Sequence, residues 1–299
     1  MTSASASEGG QRLFRRVAVL GVGLIGGSIA GAARHRALTS EVVGYSPGDH
    51  AHRAHELGLV DRVCESPAEA VDGADLVVLA APIPAMPALL QAIAPALAQD
   101  VIVTDAASTK RSTIQAARAA LGSRFSRFVA GHPIAGAERH GPESSRIDLF
   151  NGCLALLCPQ PETDPQALEQ VSRFWAAIGA RVLELDADEH DGIFAEVSHW
   201  PHAAVFALCA GIASGPRADD ALRFAGAGLR DTTRIGASSA SLWSDIILDN
   251  RDAVLECARN FQTELDAMID ALQRADRQTL LERFELASQW RQRLPNPGR

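Results

Sequence analysis

From Val17 to about Leu185, short runs of β-branched and apolar residues alternate with segments long enough for a helix, the pattern of a parallel sheet covered by helices. The runs predict strands at Val17–Leu20, Val42–Tyr45, Leu76–Ala80, Val101–Thr104, Phe128–Ala130, Leu154–Cys158 and Arg181–Leu185. Among the intervening helices, Ser66-Pro67-Ala68-Glu69 offers a serine cap, a proline in the first helical position and a glutamate two residues on, and Pro165 opens another that runs toward Ile178. Past Asp186 the strand pattern stops, and long helices are predicted over Glu189–Ser214, Trp243–Leu272 and Arg274–Leu294. Their apolar faces are wide, as at Val205-Phe206-Ala207-Leu208 and Ile246-Ile247-Leu248, more than one small bundle would bury, so a homodimer is expected.

One turn in this pattern carries chemistry. Gly21-x-Gly23-x-x-Gly26 follows the first strand and opens a helix at Leu24, which is the context a dinucleotide site requires. The first glycine makes the turn, the second lets the backbone approach a pyrophosphate, and the third lets helix and strand touch. The first-turn residues Leu24 and Ile25 then face the phosphates. The fold class expected is therefore α/β: a Rossmann-type doubly wound sheet followed by an all-α dimerisation and substrate domain. The boundaries predicted are a tail over 1–16, a dinucleotide-binding domain over 17–185 and a helical domain over 186–299. Tyr45 and Ser46 at the second strand end, Ala81 and Pro82 after the third, and Asp105 after the fourth complete the expected cofactor set. At Gly44-Tyr45-Ser46-Pro47-Gly48 no carboxylate awaits the ribose 2′-hydroxyl, so NADP is favoured over NAD, although Asp49 is near enough to serve and His50, His52 and His55 fit a solvated helix equally well.

Composition narrows the class further. The 299 residues, 47% apolar and 21% charged, suit two globular domains, and no apolar run reaches membrane-spanning length. The Ser-, Ala- and Gly-rich residues 1–16 lack the apolar stretch of a secretory signal and are expected to be disordered. Five scattered cysteines without a Cys-x-x-Cys pair fit reduced thiols and a cytoplasmic location. A net charge of −8 disfavours nucleic acid as a partner and leaves any anionic substrate to local groups. His199 and His202 share a helical face, but no third ligand is evident and no metal is expected.

The segment Gly131-His132-Pro133-Ile134-Ala135-Gly136-Ala137-Glu138-Arg139-His140-Gly141 follows a strand end, where doubly wound folds collect their chemistry. It resembles the His-Pro-Met/Ile-Ala-Gly-x-Glu signature of prephenate and arogenate (cyclohexadienyl) dehydrogenases of tyrosine biosynthesis. Asp105-Ala106-Ala107-Ser108-Thr109-Lys110 resembles that family's Asp-x-x-Ser-x-Lys loop, with Ala107 where glycine is usual. His190-Asp191, Ser198-His199-Trp200-Pro201-His202, Gly228-Leu229-Arg230-Asp231-Thr232-Thr233-Arg234-Ile235 and Trp243-Ser244-Asp245-Ile246 extend the resemblance, in order, from Val17 to about Asn260.

The resemblance implies an NAD(P)-dependent oxidative decarboxylation of prephenate or arogenate. His132 is then the base for the ring hydroxyl, expected to titrate near neutrality, and Ser108 is expected to hydrogen-bond both the imidazole and the same oxygen. Arg234 is the fork for a substrate carboxylate, with Glu138, Asp231, His199 and His202 around the substrate. Plainer roles exist for each: Ser108 as a helix cap, Arg234 as a surface ion pair, and Trp200 and Trp243 as core or interface aromatics. Two other functions share this scaffold. A β-hydroxyacid-type dehydrogenase would carry a lysine in the first helix of the second domain, and Asp186–Ser214 has none. A silent nucleotide-binding sensor would lack the base activity assigned to His132.

Overall fold

The structure is a computed structural model that describes residues 12–136 and 140–294. Its first half alternates β1 (Phe14–Leu20), α1 (Leu24–His35), β2 (Thr39–Tyr45), α2 (His50–Glu56), β3 (Arg62–Val63), α3 (Pro67–Val71), β4 (Leu76–Leu79), α4 (Met86–Ile93), β5 (Ile102–Asp105), α5 (Arg111–Leu121) and β6 (Phe128–Pro133). After β7 (Leu154–Cys158), α6 (Pro165–Ala177) and β8 (Arg181–Glu184) the chain turns helical: α7 (Ala187–Phe194), α8 (Trp200–Ala213), α9 (Ala218–Phe224), α10 (Ala227–Thr233), α11 (Ala240–Asp249), α12 (Arg251–Gln273) and α13 (Arg277–Gln292). The chain forms two compact units, one ending at Asn250 and one beginning at Arg251.

In the first unit the eight strands run β3-β2-β1-β4-β5-β6-β7-β8. All neighbours are parallel except β6 and β7, which run antiparallel with His132 opposite Leu156. The strand order reverses between β1 and β4, and that reversal opens a crevice at their carboxyl ends. β4, β5 and β6 are buried at every position and β1 over Val17–Leu20, because helices cover both faces. One apolar layer centres on Ile29, Val42, Phe150, Phe174 and Trp175, the other on Leu79, Met86, Leu90, Ile93 and Phe128.

Several boundaries differ from the sequence-based expectation for physical reasons. β1 begins at Phe14, inside the stretch expected to be a tail, since Phe14 packs edge-on against Phe174 and Asp75 accepts the N–H groups of Arg15 and Arg16. The helix expected over Glu189–Ser214 contains a widened turn at Ala195–His199, and Pro201 follows it in the first turn of α8, where a regular ladder would need the N–H that proline lacks. The helix expected over Trp243–Leu272 breaks at Asn250, whose side chain is committed elsewhere. The short helices α9 and α10 were not anticipated.

The second unit is the antiparallel pair α12 and α13, in which Phe261, Leu265, Ile269 and Leu272 are exposed along α12 at spacings of three and four residues. No described helix is long and apolar enough to cross a membrane.

Candidate active site

The carboxyl ends of β1, β2, β4, β5 and β6 meet the helices α7, α8 and α11 around a cavity of about 1060 Å³ lying wholly within the first unit. At one end lies the glycine turn. Gly21 has φ +97°, and a Cβ there would stand 2.5 Å from the Ala80 carbonyl oxygen. A Cβ on Gly26 would stand 2.0 Å from the Gly21 oxygen, so this position holds α1 against the turn and does not itself line the cavity. A Cβ on Gly23, by contrast, would meet nothing within 4 Å, and no side chain caps the α1 N-terminus. Open space over an uncapped helix start is a cradle that fits the pyrophosphate of a dinucleotide. Leu24, Ile25, Tyr45, Ser46, Ala81 and Pro82 line the cavity beside it.

Ser46 serves the turn itself, its buried hydroxyl accepting the Val22 N–H at 2.7 Å. Arg53, the cation closest in sequence to that strand end, is paired with Glu56 (2.7 Å) and Glu143 (2.9 Å). Asp105 is corrected from a cofactor contact to a structural post. It is fully buried and outside the cavity lining, where it pairs with Lys110 and accepts the N–H groups of Ala107 and Gly131, both at 2.9 Å. Lys110 also donates to the Gly131 carbonyl at 2.6 Å, so the pair ties the loop after β5 to the residue preceding His132.

The other end of the cavity is built from histidines. His132 Nδ1 lies 2.9 Å from His190 Nε2, and His190 Nδ1 lies 2.8 Å from Asp191 Oδ1. Phe194 stacks on the His190 ring with centroids 4.5 Å apart and packs against His132. Asp191 reaches from α7 to accept the backbone N–H groups of Lys110 (2.8 Å) and Arg111 (3.0 Å), so a residue 80 positions away caps α5. This displaces the expectation that Ser108 caps that helix. Ser108 lines the cavity with His132 but is not hydrogen-bonded to it; the imidazole is instead engaged through Nδ1 by His190.

His199 and His202 line the same cavity. Asn250 Nδ2 lies 3.0 Å from His199 Nδ1, and His199 Nε2 is buried with no partner. His202 Nδ1 donates to the Ser198 carbonyl at 2.9 Å while its ring stacks on Trp243, centroids 3.4 Å apart and 16° between planes. Trp243 is therefore a wall of the cavity as well as packing against the apolar layer around Leu79 and Phe128. Arg234, at the start of a helical turn over Arg234–Ala237, is exposed and outside the lining, although its charge helps to depress the His202 pKa. Asp231 is exposed on α10 and also outside the lining. Glu138 lies outside the described residues.

Burial dominates the electrostatics. It holds His132 well below the usual histidine range, helped by the charge of Lys110, so His132 is neutral at pH 7 and does not titrate near neutrality as expected. Burial likewise lowers His190, against the pull of Asp191, and brings His199 down to about 4. Burial alone would raise Asp191, but hydrogen bonds from His190 and from the Arg111 and Lys110 backbone bring it down to about 2. Among the described residues no cluster of potential ligands could hold a metal ion. Sequence reasoning left His190, Asp191, Asn250 and Lys110 out of the site. The His-Asp dipeptide was visible as a motif, and Asn250 left no signal, since the sequence reads as one helix straight through it.

A doubly wound sheet with a dinucleotide turn at one end of a cavity and an imidazole cluster at the other defines a nicotinamide-dependent dehydrogenase. Residues 29–184 match the family described as prephenate dehydrogenase, nucleotide-binding domain, and residues 186–286 match prephenate dehydrogenase, dimerization domain. The chain belongs to the prephenate dehydrogenase family. It is 35% identical over 277 residues to the cyclohexadienyl dehydrogenase of Zymomonas mobilis, covering 91% of this chain and 94% of that protein. It is 32% identical over 282 residues to the prephenate dehydrogenase of Bacillus subtilis, covering 93% and 76%. Among solved structures, prephenate dehydrogenase from Aquifex aeolicus with hydroxyphenyl propionate and NAD+ superposes with a TM-score of 0.85 at 31% identity, covering 93% of this chain and 97% of that one. Synechocystis arogenate dehydrogenase follows at 0.78 and 27%, covering 93% and 99%.

Proposed function

We propose that this chain catalyses the oxidative decarboxylation of prephenate, arogenate or both, yielding 4-hydroxyphenylpyruvate or tyrosine. The observation that carries the reading is a buried, neutral histidine, His132, at the opposite end of one cavity from the glycine turn. A nicotinamide dinucleotide, when bound, accepts the hydride from the ring carbon that bears the hydroxyl. His132 takes the hydroxyl proton as the carbonyl forms, and Ser108 donates to the same oxygen. When the ring carboxylate leaves as carbon dioxide, the electron pair of the broken carbon–carbon bond restores aromaticity and the oxygen regains a proton to become the phenol. His199 and His202 face the substrate from the turn before α8 and from α8 itself; Arg234, although outside the cavity lining, is the group assigned to a substrate carboxylate, with Asp231 to pair with it and Glu138 to orient a histidine or gate entry.

The finer assignments belong to the same proposal. NADP is favoured over NAD because Tyr45-Ser46-Pro47-Gly48 offers no carboxylate to the ribose, but the pairing of Arg53 with Glu56 and Glu143 keeps that preference to a few-fold. The division at 185/186 leaves the glycine turn in the first domain and the dimerisation helices in the second, while the substrate is met by residues of both, Ser108 and His132 from the first and His199 and His202 from the second. The exposed stripe on α12 supports a homodimer of twice 31.7 kDa, and five free thiols suit a cytoplasmic enzyme. A steady-state assay crossing prephenate and arogenate with NAD and NADP tests the reading. It expects reduced cofactor with at least one substrate; none in all four combinations overturns the activity, and a tenfold preference for NAD overturns the cofactor assignment.

A further inference from the structure

Two histidines of the cavity have one ring nitrogen tied to the same acid, by different routes. Hydrogen-bond logic then sets which nitrogen carries the proton on each. Asp191, ionised and accepting two backbone N–H groups, can only accept, so His190 donates to it through Nδ1 and presents an unprotonated Nε2. Against that lone pair, at 2.9 Å, His132 must place a protonated Nδ1, which leaves Nε2 as its lone-pair nitrogen.

On the other route, Arg111 can only donate, and its guanidinium meets Asn250 Oδ1 at 2.8 Å, fixing the amide. The Asn250 NH2 group then gives one hydrogen to the Asp191 carbonyl at 2.7 Å and the other to His199 Nδ1 at 3.0 Å. His199, neutral, therefore carries its proton on Nε2, the buried atom that has no partner in the protein. A buried donor left unmet costs about 1–3 kcal/mol, which an acceptor on a bound ligand would recover.

We propose that His190, Asp191 and Asn250 are positioning residues that set opposite tautomers on two cavity histidines, making His132 Nε2 a proton acceptor and His199 Nε2 a proton donor. The opposition matches what the substrate presents: a hydroxyl that must lose a proton, and carboxylate oxygens that accept hydrogen bonds. This deepens the dehydrogenase reading and rests on it for its purpose, although the tautomers stand on the geometry alone.

The test is long-range 1H–15N correlation on the full-length protein labelled with 15N-histidine, at neutral pH and without substrate, with resonances assigned through His132→Asn and His199→Asn. The expected spectrum has His132 protonated at Nδ1 and His199 at Nε2. The reverse at either residue overturns the proposal, whether or not the protein oxidises prephenate or arogenate. In His190→Leu the Nδ1 partner of His132 is gone, so its proton moves to Nε2 and kcat falls about a hundredfold, the usual worth of a general base. His190→Gln, whose amide can accept from His132 and donate to Asp191, restores kcat to within about tenfold while the cofactor KM stays unchanged in both. Equal losses in the Leu and Gln variants with the His132 tautomer unmoved would show a packing role only and overturn the proposal. Should neither variant fold, the native spectrum alone decides.

Discussion

Lys110 and Asp105 form an ion pair with neither side chain exposed, and replacing the lysine by methionine measures how much of the site hangs on it. The methionine keeps most of the buried volume and removes the cation, leaving a carboxylate in the core. Breaking a buried pair in this way costs about 3–5 kcal/mol. Asp105 keeps two backbone donors, Ala107 N–H and Gly131 N–H at 2.9 Å, which places the expected loss near the lower end, about 3 kcal/mol. At about 2–4 °C per kcal/mol for a unit of this size, Tm falls by about 6–12 °C. Lys110→Met combined with Asp105→Asn removes the unpaired charge as well, but the new NH2 group then faces the N–H of either Ala107 or Gly131, so the double variant recovers only part of the loss. Urea and thermal unfolding followed by circular dichroism read both variants, and the Asp105→Asn single variant closes the cycle that gives the coupling energy. Lys110→Met within 1 kcal/mol of native refutes the reasoning that the pair is a strut.

Three further outcomes are expected. His132→Asn lowers kcat at least about a hundredfold while the cofactor Kd, read by nucleotide fluorescence, stays within about twofold; unchanged turnover removes His132 from the chemistry. Gly26→Ala puts a methyl 2.0 Å from the Gly21 oxygen and must push α1 off the turn, so cofactor Kd rises tenfold or more; an unaltered Kd would show the turn does not form the cradle. Stability falls on acidification between pH 6.5 and 4. His199 is neutral in the fold with a pKa of about 4 against 6.5 unfolded, so the unfolded chain binds the extra proton across that window, a loss of about 3 kcal/mol at about 1.4 kcal/mol per pH unit. Asp191, held at about 2 against 3.8, extends the loss below pH 4; a urea midpoint flat from pH 7 to 4 would contradict the His199 reading, and one flat from pH 4 to 2 the Asp191 reading.

The dinucleotide half was legible because its signals are local. An apolar run such as Leu76–Leu79 is a buried strand whatever surrounds it, and Gly21-x-Gly23-x-x-Gly26 between strand and helix announces its own geometry. The histidine half depends on contacts between distant residues. Lys110 is visible only as the last residue of a motif, and only the arrival of Asp105 and the Gly131 carbonyl makes it a core residue. Ser108 reads as a cap because nothing nearby in sequence reveals that Asp191 supplies one. Trp243 reads as packing until His202, 41 positions earlier, stacks on it. The helix break at Asn250 has the same origin, since its amide is spent on Asp191 and His199.

That dependence has a consequence for how stability and chemistry are linked. Asp191 caps α5 through two N–H groups and orients His190 with the same carboxylate. A substitution there cannot disturb one role alone, because both use the two oxygens of one group. Asp191→Asn must turn its NH2 toward either a backbone N–H or the Arg111 guanidinium, and either choice sets donor against donor. The β5–α5 loop that carries Ser108 is thus held by Asp191 from the helical side and by Asp105 from the sheet side. His132 is joined to Asp191 through His190 and, through the Gly131 backbone, to Asp105 and Lys110. Two buried acids acting on adjoining segments explain how Ser108 and His132 come to share one cavity without touching each other, each positioned by groups that do not line it.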